Sequence, residues 1–371
     1  MKFLRLAFYV LIAQLVLSGC AGEAVEETSS SSSSEINFDA YVGRNASSRS
    51  SVTNLDFLKL DTKNTYNAGF GVFAIYRHTD KTIPSLMLMN NEHVYWKNWK
   101  GDHSDWGYEN TRYWPNEGSV DFYAFAPRSD IPKLDPKLLD SPDKIEIDFP
   151  ANWSPVDLVY ANAENQKKAN NPVKFTFMHA LARLGFDITA NQTLEENGAV
   201  IKVKEVKLYG ADEISGIFLM GGYLNLKTGG WRPYDNGTRW FYTWTPDGKV
   251  EGEEDGKEDG KEDGNKVKKI VYKLSASLLD DKTPSITNDK DSYIFIIPQP
   301  KPANFKLKII YTVKQGDFEE EVTVKKNLLD ILPPEDSNHP FFKGGKAYVF
   351  HLKLSLDPIN FDVKAKVEDW K

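Results

Sequence analysis

The sequence predicts an all-β fold made of β-sandwiches, and three observations support that prediction. Aromatic residues make up 13% of the 371 residues, with 21 Phe, 17 Tyr and 9 Trp, and such residues favour strands over helices. Short alternating segments recur along the chain between turn signals such as Thr228-Gly229-Gly230 and Asp247-Gly248. Long stretches of helical periodicity are absent. Many short strands at regular spacing are typical of β-sandwiches.

The predicted strands carry either a two-residue alternation or a short continuous apolar run. Val173, Phe175 and Phe177 alternate with polar residues, whereas residues 71–77 form a run that predicts a fully buried strand. In chain order, the predicted strands span residues 36–42, 71–77, 119–127, 144–149, 156–161, 173–177, 200–209, 216–220, 222–226, 239–244, 270–274, 293–297, 305–313, 318–324 and 347–356.

The N-terminus predicts export and lipid attachment. Lys2 and Arg5 precede an apolar run over residues 6–17, which has the length of a signal peptide and is too short to span a bilayer. Leu17-Ser18-Gly19-Cys20 follows, and it resembles the bacterial lipobox. The resemblance implies a lipoprotein signal peptide over residues 1–19 and diacylglyceryl modification of Cys20, the only cysteine. The alternative is an ordinary signal peptide followed by an unmodified cysteine.

Residues 20–35 predict a flexible tether between the lipid and the folded body. The segment is rich in acidic residues and ends in six serines and a glutamate, with no aromatic residue. Glu23, Glu26 and Glu27 resemble the acidic export signal of surface lipoproteins in Bacteroidales-type bacteria. They are equally explained as solvated linker charge.

The first strand after the tether has a near-copy at the other end of the chain. Ile36-Asn37-Phe38-Asp39 is repeated as Ile359-Asn360-Phe361-Asp362. Each copy continues the alternation, so one apolar face holds Ile36, Phe38, Ala40 and Val42, and the other holds Ile359, Phe361, Val363, Ala365 and Val367. The polar loop over residues 43–51 contains Arg44 and Arg49 and predicts a site accessible to proteases.

A polar gap over residues 164–171, closed by Pro172, predicts a domain boundary. The N-terminal sandwich then spans residues 36–171, of which 36–49 are the first strand and its loop. The C-terminal sandwich spans residues 172–371 and ends in the repeated strand over residues 359–371. The acidic repeat over residues 251–264 lacks the spacing of the common calcium-binding loop and predicts a solvated hairpin tip.

Little in the sequence predicts catalysis, a cofactor or a nucleic-acid partner. The net charge is −7, no basic stripe appears, and the common nucleophile, phosphate-loop and zinc motifs are absent. His93 and His103 lie near Asp102 and Asp105, but their spacing is not diagnostic of a metal site. His179 fits a hydrogen-bonded structural histidine better. The Trp-rich region over residues 94–115 is interpreted as packing over the end of a sandwich, with stacking on sugars or proteins as the alternative.

Motifs along nearly the whole chain resemble the fimbrillin family, the type V pilin-like lipoproteins of Bacteroidales. They accompany the lipobox and the first strand with its Arg-containing loop. The further motifs are Tyr113-Trp114-Pro115 leading into residues 120–127, Val156-Asp157-Leu158-Val159-Tyr160-Ala161, Phe175-x-Phe177-x-His179-Ala180-Leu181, residues 222–229 with Trp231, Ile297-Pro298-Gln299, and Gly345-Lys346-Ala347-Tyr348 before a terminal strand ending at Trp370.

The resemblance implies two transthyretin-like β-sandwich domains in tandem and a non-enzymatic structural role. It implies an outer-membrane lipoprotein at the cell surface, held by lipid on Cys20. It further implies cleavage by an Arg-specific protease, at Arg49 by position with Arg44 as the alternative, and polymerisation with like subunits or other pilins by strand exchange. Stalk, anchor and tip roles in a pilus serving adhesion all fit. A non-polymerising surface lipoprotein that binds glycan or host protein is the alternative function.

Overall fold

The structure is a computed structural model of the chain. It describes residues 34–42, 55–59, 68–98, 104–130, 132–135, 137, 139–141, 145–150, 157–190, 198–210, 218–219, 221–234, 239–246, 268–273, 278–279, 285–287, 293–300, 304–328, 342–354 and 362–369. Within these residues, no helix is both long enough and apolar enough to cross a membrane. The predicted acidic hairpin tip lies outside the described residues.

The fold is almost entirely β, as the sequence predicts. A five-residue helix, α1 (Leu55–Lys59), and a 3₁₀ turn (Lys168–Asn170) are the helical elements of the described chain. The strands are β1 (Phe38–Val42), β2 (Phe70–Arg77), β3 (Leu86–Asn98), β4 (Ser104–Gly107), β5 (Ser119–Ala126), β6 (Glu146–Pro150), β7 (Val159–Gln166), β8 (Val173–His179), β9 (Ala182–Ala190), β10 (Val200–Tyr209) and β11 (Phe218–Leu219). They continue with β12 (Gly221–Asn225), β13 (Trp231–Pro233), β14 (Arg239–Thr245), β15 (Lys268–Lys273), β16 (Leu278–Leu279), β17 (Ser285–Thr287), β18 (Ile294–Ile296), β19 (Lys306–Gln315), β20 (Phe318–Asn327), β21 (Lys346–Leu354) and β22 (Asp362–Asp369).

Sheet A has the strand order β1-β8-β7-β5-β2-β3-β4. Its inner strand β2, between β5 and β3, is buried on both faces, which fits the continuous apolar run in its sequence. One face of the sheet forms a core with Phe70, Phe122 and Phe175, and the apolar side of β1 completes that core. The other face, with Phe73 and Tyr123, packs in a core with residues of sheet C, whose strand order is β13-β12-β6.

Sheets B and D enclose a further core. Sheet B has the strand order β11-β14-β10-β19-β20, with β15 and β16 paired to β14 and β10. Sheet D has the order β17-β9-β21-β22, with β18 paired to β9. The core between them includes Trp244, Tyr311, Tyr348 and Phe350, all nearly inaccessible to solvent. Alternating apolar residues on β10 and β19 supply much of it, because successive side chains of a strand point to opposite faces.

Strand β8 follows the predicted domain boundary yet belongs to sheet A. It pairs with β1 in parallel and with β7 in antiparallel orientation. A division between residues 171 and 172 would therefore separate β8 from both strands to which it is hydrogen-bonded. Ala180 and Leu181 follow β8, and β9 then begins at Ala182 in sheet D. The chain passes from sheet A to sheet D at these two residues.

Candidate functional site

The candidate site is the groove in sheet A that holds β1. β1 is the edge strand of the sheet and runs parallel to β8, with Phe38 opposite Val173 and Val42 opposite Phe177. Its burial alternates along the strand, and Asp39 and Tyr41 face solvent. The residues predicted to share one face are indeed the buried ones, with at most 7% of each exposed: Ile36, Phe38, Ala40 and Val42.

Phe38 fills an aromatic pocket in this groove. Its ring stacks on Phe175 at 5.8 Å between centroids and meets the edge of Phe122 at 5.7 Å. Tyr108 lies at 5.6 Å in a tilted arrangement. Full burial of such a side chain contributes about 1.5–3 kcal/mol, and each aromatic pair adds about 0.5–1.5 kcal/mol. Phe38 is therefore the main apolar anchor of β1.

The residues just before β1 are hydrogen-bonded along both edges. On the side of residues 112–114, the Ile36 N–H donates to the Arg112 carbonyl at 2.9 Å, and the Trp114 N–H donates to the Ser34 carbonyl at 2.8 Å. The Tyr108 hydroxyl donates to the Ile36 carbonyl at 2.8 Å. Burial raises the pKa of Tyr108 to about 12, so the hydroxyl keeps its proton at neutral pH.

Asn171 holds the other edge with its side-chain amide. Its Oδ1 accepts the Asn37 N–H at 2.9 Å, and its Nδ2 donates to the Glu35 carbonyl at 3.0 Å. The Val173 N–H then donates to the Asn37 carbonyl at 2.8 Å and opens the ladder with β8. Tyr108 and Asn171 are not among the site residues that the sequence predicts, because their contacts to distant main-chain groups leave no pattern in the sequence.

Several predicted site residues lie outside the described part of the chain. These are Cys20, with its lipobox and tether, both candidate cleavage sites Arg44 and Arg49, and the first two residues of the C-terminal apolar face, Ile359 and Phe361.

The rest of the C-terminal apolar face lies in β22, which pairs antiparallel with β21 at the edge of sheet D. Val363 stands opposite Leu352 in this pairing. Ala365 and Val367 are partly buried against the core between sheets B and D. β22 thus occupies an edge position at its own end of the chain, as β1 does in sheet A.

The Trp-rich region supplies the end of β3 and all of β4 to sheet A, and its described tryptophans pack in or against the core of that sheet, which favours the packing interpretation. Trp106 and Trp114 are buried in the same core as β1. The Trp96 ring lies edge-on to Trp106, with centroids 5.2 Å apart, and Lys59 Nζ lies 4.0 Å from the centroid of the Trp96 ring. Tyr113 is the exposed aromatic of this region, and Trp99 lies outside the described residues.

His179 is hydrogen-bonded inside the protein, as the sequence predicts. Its Nδ1 lies 3.0 Å from both carboxylate oxygens of Asp157, whose side chain is fully buried. The next residue, Ala180, donates its N–H to the Leu158 carbonyl at 2.8 Å and accepts from Trp231 Nε1 at 2.9 Å. These contacts fix the chain where it leaves sheet A. The sequence feature that points to Asp157 is its place as the single carboxylate in the apolar segment over residues 156–161.

No group of three or more His, Cys, Asp or Glu residues suited to a metal ion occurs within the described ranges. His93, from the weak candidate cluster, donates from Nε2 to the Ala68 carbonyl at 2.6 Å. Burial lowers the pKa of His93, which favours the neutral imidazole. His103 and Asp102 lie outside the described residues.

A comparison with known protein families identifies the family of this chain. A family model described as fimbrillin-like matches residues 59–370. The chain belongs to the fimbrillin-like family. The match begins after β1 and its loop, so it covers the groove but not the strand that fills the groove.

Two relatives extend the comparison of this fimbrillin-like chain. It is 24% identical over 394 aligned residues to fimbrium subunit Fim1C of Phocaeicola vulgatus, covering 97% of this chain and 95% of that protein. A crystal structure of a fimbrial protein from Bacteroides vulgatus has a TM-score of 0.56 at 18% identity, covering 91% of this chain and 99% of that one. At that identity, the structural match speaks for the fold alone.

Proposed function

We propose that this fimbrillin-like protein is a lipid-anchored cell-surface pilus subunit that assembles by protease-triggered strand exchange. The observation that carries the proposal is the position of β1. An edge strand with one buried apolar face can leave a sheet without breaking the pairing between any other two strands. The loop that follows β1 contains Arg44 and Arg49, so a cut there removes the covalent link between β1 and the body.

Departure of β1 would leave a groove with strong affinity for another strand. β8 would expose one edge of its main chain, and the apolar face formed by Val173, Phe175 and Phe177 would lose its cover. An unpaired edge beside an apolar strip is the typical site for adding a strand from another chain.

The C-terminal strand of a second subunit is the proposed replacement. Residues 359–362 repeat residues 36–39, so Phe361 would take the aromatic pocket of Phe38, and Val363 and Ala365 would follow at the places of Ala40 and Val42. Donation from the end of one chain into the first sheet of the next is head-to-tail, and such contacts produce filaments. Like subunits or other pilins are therefore the partners.

Anchoring is proposed through lipid on Cys20 and the tether over residues 20–35, at the outer membrane. While the chain is uncut, β1 fills its own groove and the body stays tied to the lipid, which suits an anchor subunit. After the cut, the body is free to join a stalk. The proposed function of the assembled pilus is adhesion.

The proposal is tested by digesting the exported protein with an Arg-specific protease and running it unboiled on a gel. Wild-type protein should give a ladder of oligomers. Arg49→Gln should block both the cut and the ladder, whereas Arg44→Gln, the matched control, should leave both intact. Efficient cleavage that leaves only monomer would refute strand exchange, and the reverse result for the two variants would move the cut to Arg44.

A further inference from the structure

β1 and the residues just before it differ in how many of their edges are hydrogen-bonded to the rest of the protein. Residues 34–37 are hydrogen-bonded on both edges, to residues 112–114 and 108 on one side and to residues 171–173 on the other. Phe38–Val42 is paired with β8 along one edge, and the described residues contain no second strand paired with it. A segment bonded on both edges has to break both rows to leave, so residues 34–37 should detach more slowly.

The groove binds residues 34–37 through their main-chain groups. Tyr108 donates to a carbonyl, and the Asn171 amide bonds one carbonyl and one N–H. Every extended strand presents such groups, whatever its side chains. This part of the groove therefore accepts either the original strand or a replacement, whereas the aromatic pocket selects strands with a phenylalanine at the matching position, as Phe38 and Phe361 provide.

We propose that Tyr108 and Asn171 form a main-chain clamp that retains the start of the first strand after the chain is cut. A replacing strand then enters at the Val42 end, where the described residues pair only one edge of β1, and displaces the clamped residues last. The inference rests on the proposed function, since it describes the order of steps within strand exchange. Until the clamp opens, the cut body remains attached to the lipid-bearing fragment without a covalent bond.

Release of the cut fragment tests the clamp. Cys20, the only cysteine, can carry a fluorophore on unlipidated chain that starts at residue 20. After cleavage at Arg49, excess unlabelled peptide of residues 34–49 is added, and release of the labelled fragment is followed by fluorescence anisotropy. Tyr108→Phe keeps the ring beside Phe38 and removes the hydroxyl's bond to the Ile36 carbonyl, together with the bond that the hydroxyl accepts from the Arg112 N–H at 3.1 Å. The loss of the one bond to the clamped strand should make release about fivefold faster. Asn171→Ala removes two hydrogen bonds to the clamped residues and should accelerate release by about tenfold or more.

Two variants serve as matched controls. Tyr113→Phe makes the same chemical change on an exposed neighbouring tyrosine, and Thr176→Ala truncates an exposed side chain on β8. Both should release the fragment within about twofold of the wild-type rate. If Tyr108→Phe and Asn171→Ala behave like these controls while exchange proceeds, the clamp is refuted and strand exchange stands.

Hydrogen exchange on the uncut chain tests the clamp without strand exchange. The amides of Ile36 and Val42 face the same edge by the alternation of the strand, but the described contacts bond only the first of them, to Arg112. The Ile36 amide should exchange more slowly than the Val42 amide, and Tyr108→Phe should narrow the difference. Equal protection at both ends overturns the clamp. Failure of the peptide to displace the fragment from wild-type protein, with unequal protection retained, refutes the proposed function alone.

Discussion

Phe361→Asp is expected to abolish oligomer formation after cleavage, while the monomer folds as before. In the donated position, residue 361 would enter the pocket formed by Tyr108, Phe122 and Phe175. An unpaired carboxylate in such a site costs several kcal/mol or forces the strand out. Unboiled gels and size-exclusion chromatography of the cut protein measure the effect.

A point substitution isolates donation better than removal of residues 359–371. Because β22 pairs with β21 and packs Ala365 and Val367 against its own core, deletion would remove native contacts together with the donor. Lys364→Ala, on the exposed side of β22, is the matched control and should oligomerise normally. Thermal unfolding is the check on the fold, and both variants should unfold at the wild-type midpoint. Normal oligomers from Phe361→Asp would exclude this residue as the donor anchor.

Asp157→Ala is expected to lower the free energy of unfolding by about 1–3 kcal/mol, the range for leaving a buried polar group without its hydrogen-bond partner. The Asp157 side chain is fully buried and holds His179, which is itself largely buried. Its loss leaves the imidazole without the carboxylate at the point where the chain leaves sheet A. Denaturant unfolding measures the change, and the slope with denaturant shows whether the transition remains two-state.

The His351–Asp187 pair provides a control for the chemistry of that change. His351 Nδ1 lies 3.3 Å from Asp187 Oδ2, but 44% of the His351 side chain and 30% of the Asp187 side chain are exposed. Solvent screening makes such a pair weak, so Asp187→Ala should change the free energy of unfolding by about 1 kcal/mol or less. A loss at Asp157 no larger than at Asp187 would contradict a structural role for the buried pair.

The sequence predicts strands well where side chains alternate regularly between the core and solvent. Residues 200–209 were predicted as a strand and form β10, and the alternation of Val173, Phe175 and Phe177 places β8. β3 escaped prediction because its pairing with β2 is irregular at two places, which disrupts the two-residue period. Asn91 within it has φ of 61° and bonds two main-chain carbonyls through its side chain.

Pairing between distant segments is harder to predict than the strands themselves. β1 and β8 are joined across more than a hundred residues, and a parallel ladder has no local turn to fix it. The polar gap before Pro172 predicts a boundary, yet it is a connection between β7 and β8 within sheet A. The apolar side of β1 was predictable from alternation, whereas the hydrogen bonds of Tyr108 and Asn171 depend on where the folded chain brings them.

The composition of the oligomers tests the central claim most directly. Ladders formed after Arg-specific cleavage are separated unboiled, and their polypeptides are identified by intact mass and N-terminal sequencing. Strand exchange predicts subunits that begin at Ser50, with the fragment over residues 20–49 absent from every subunit whose groove is filled by a neighbour. Oligomers in which each subunit still carries that fragment would contradict the account, because their grooves would never have been vacated.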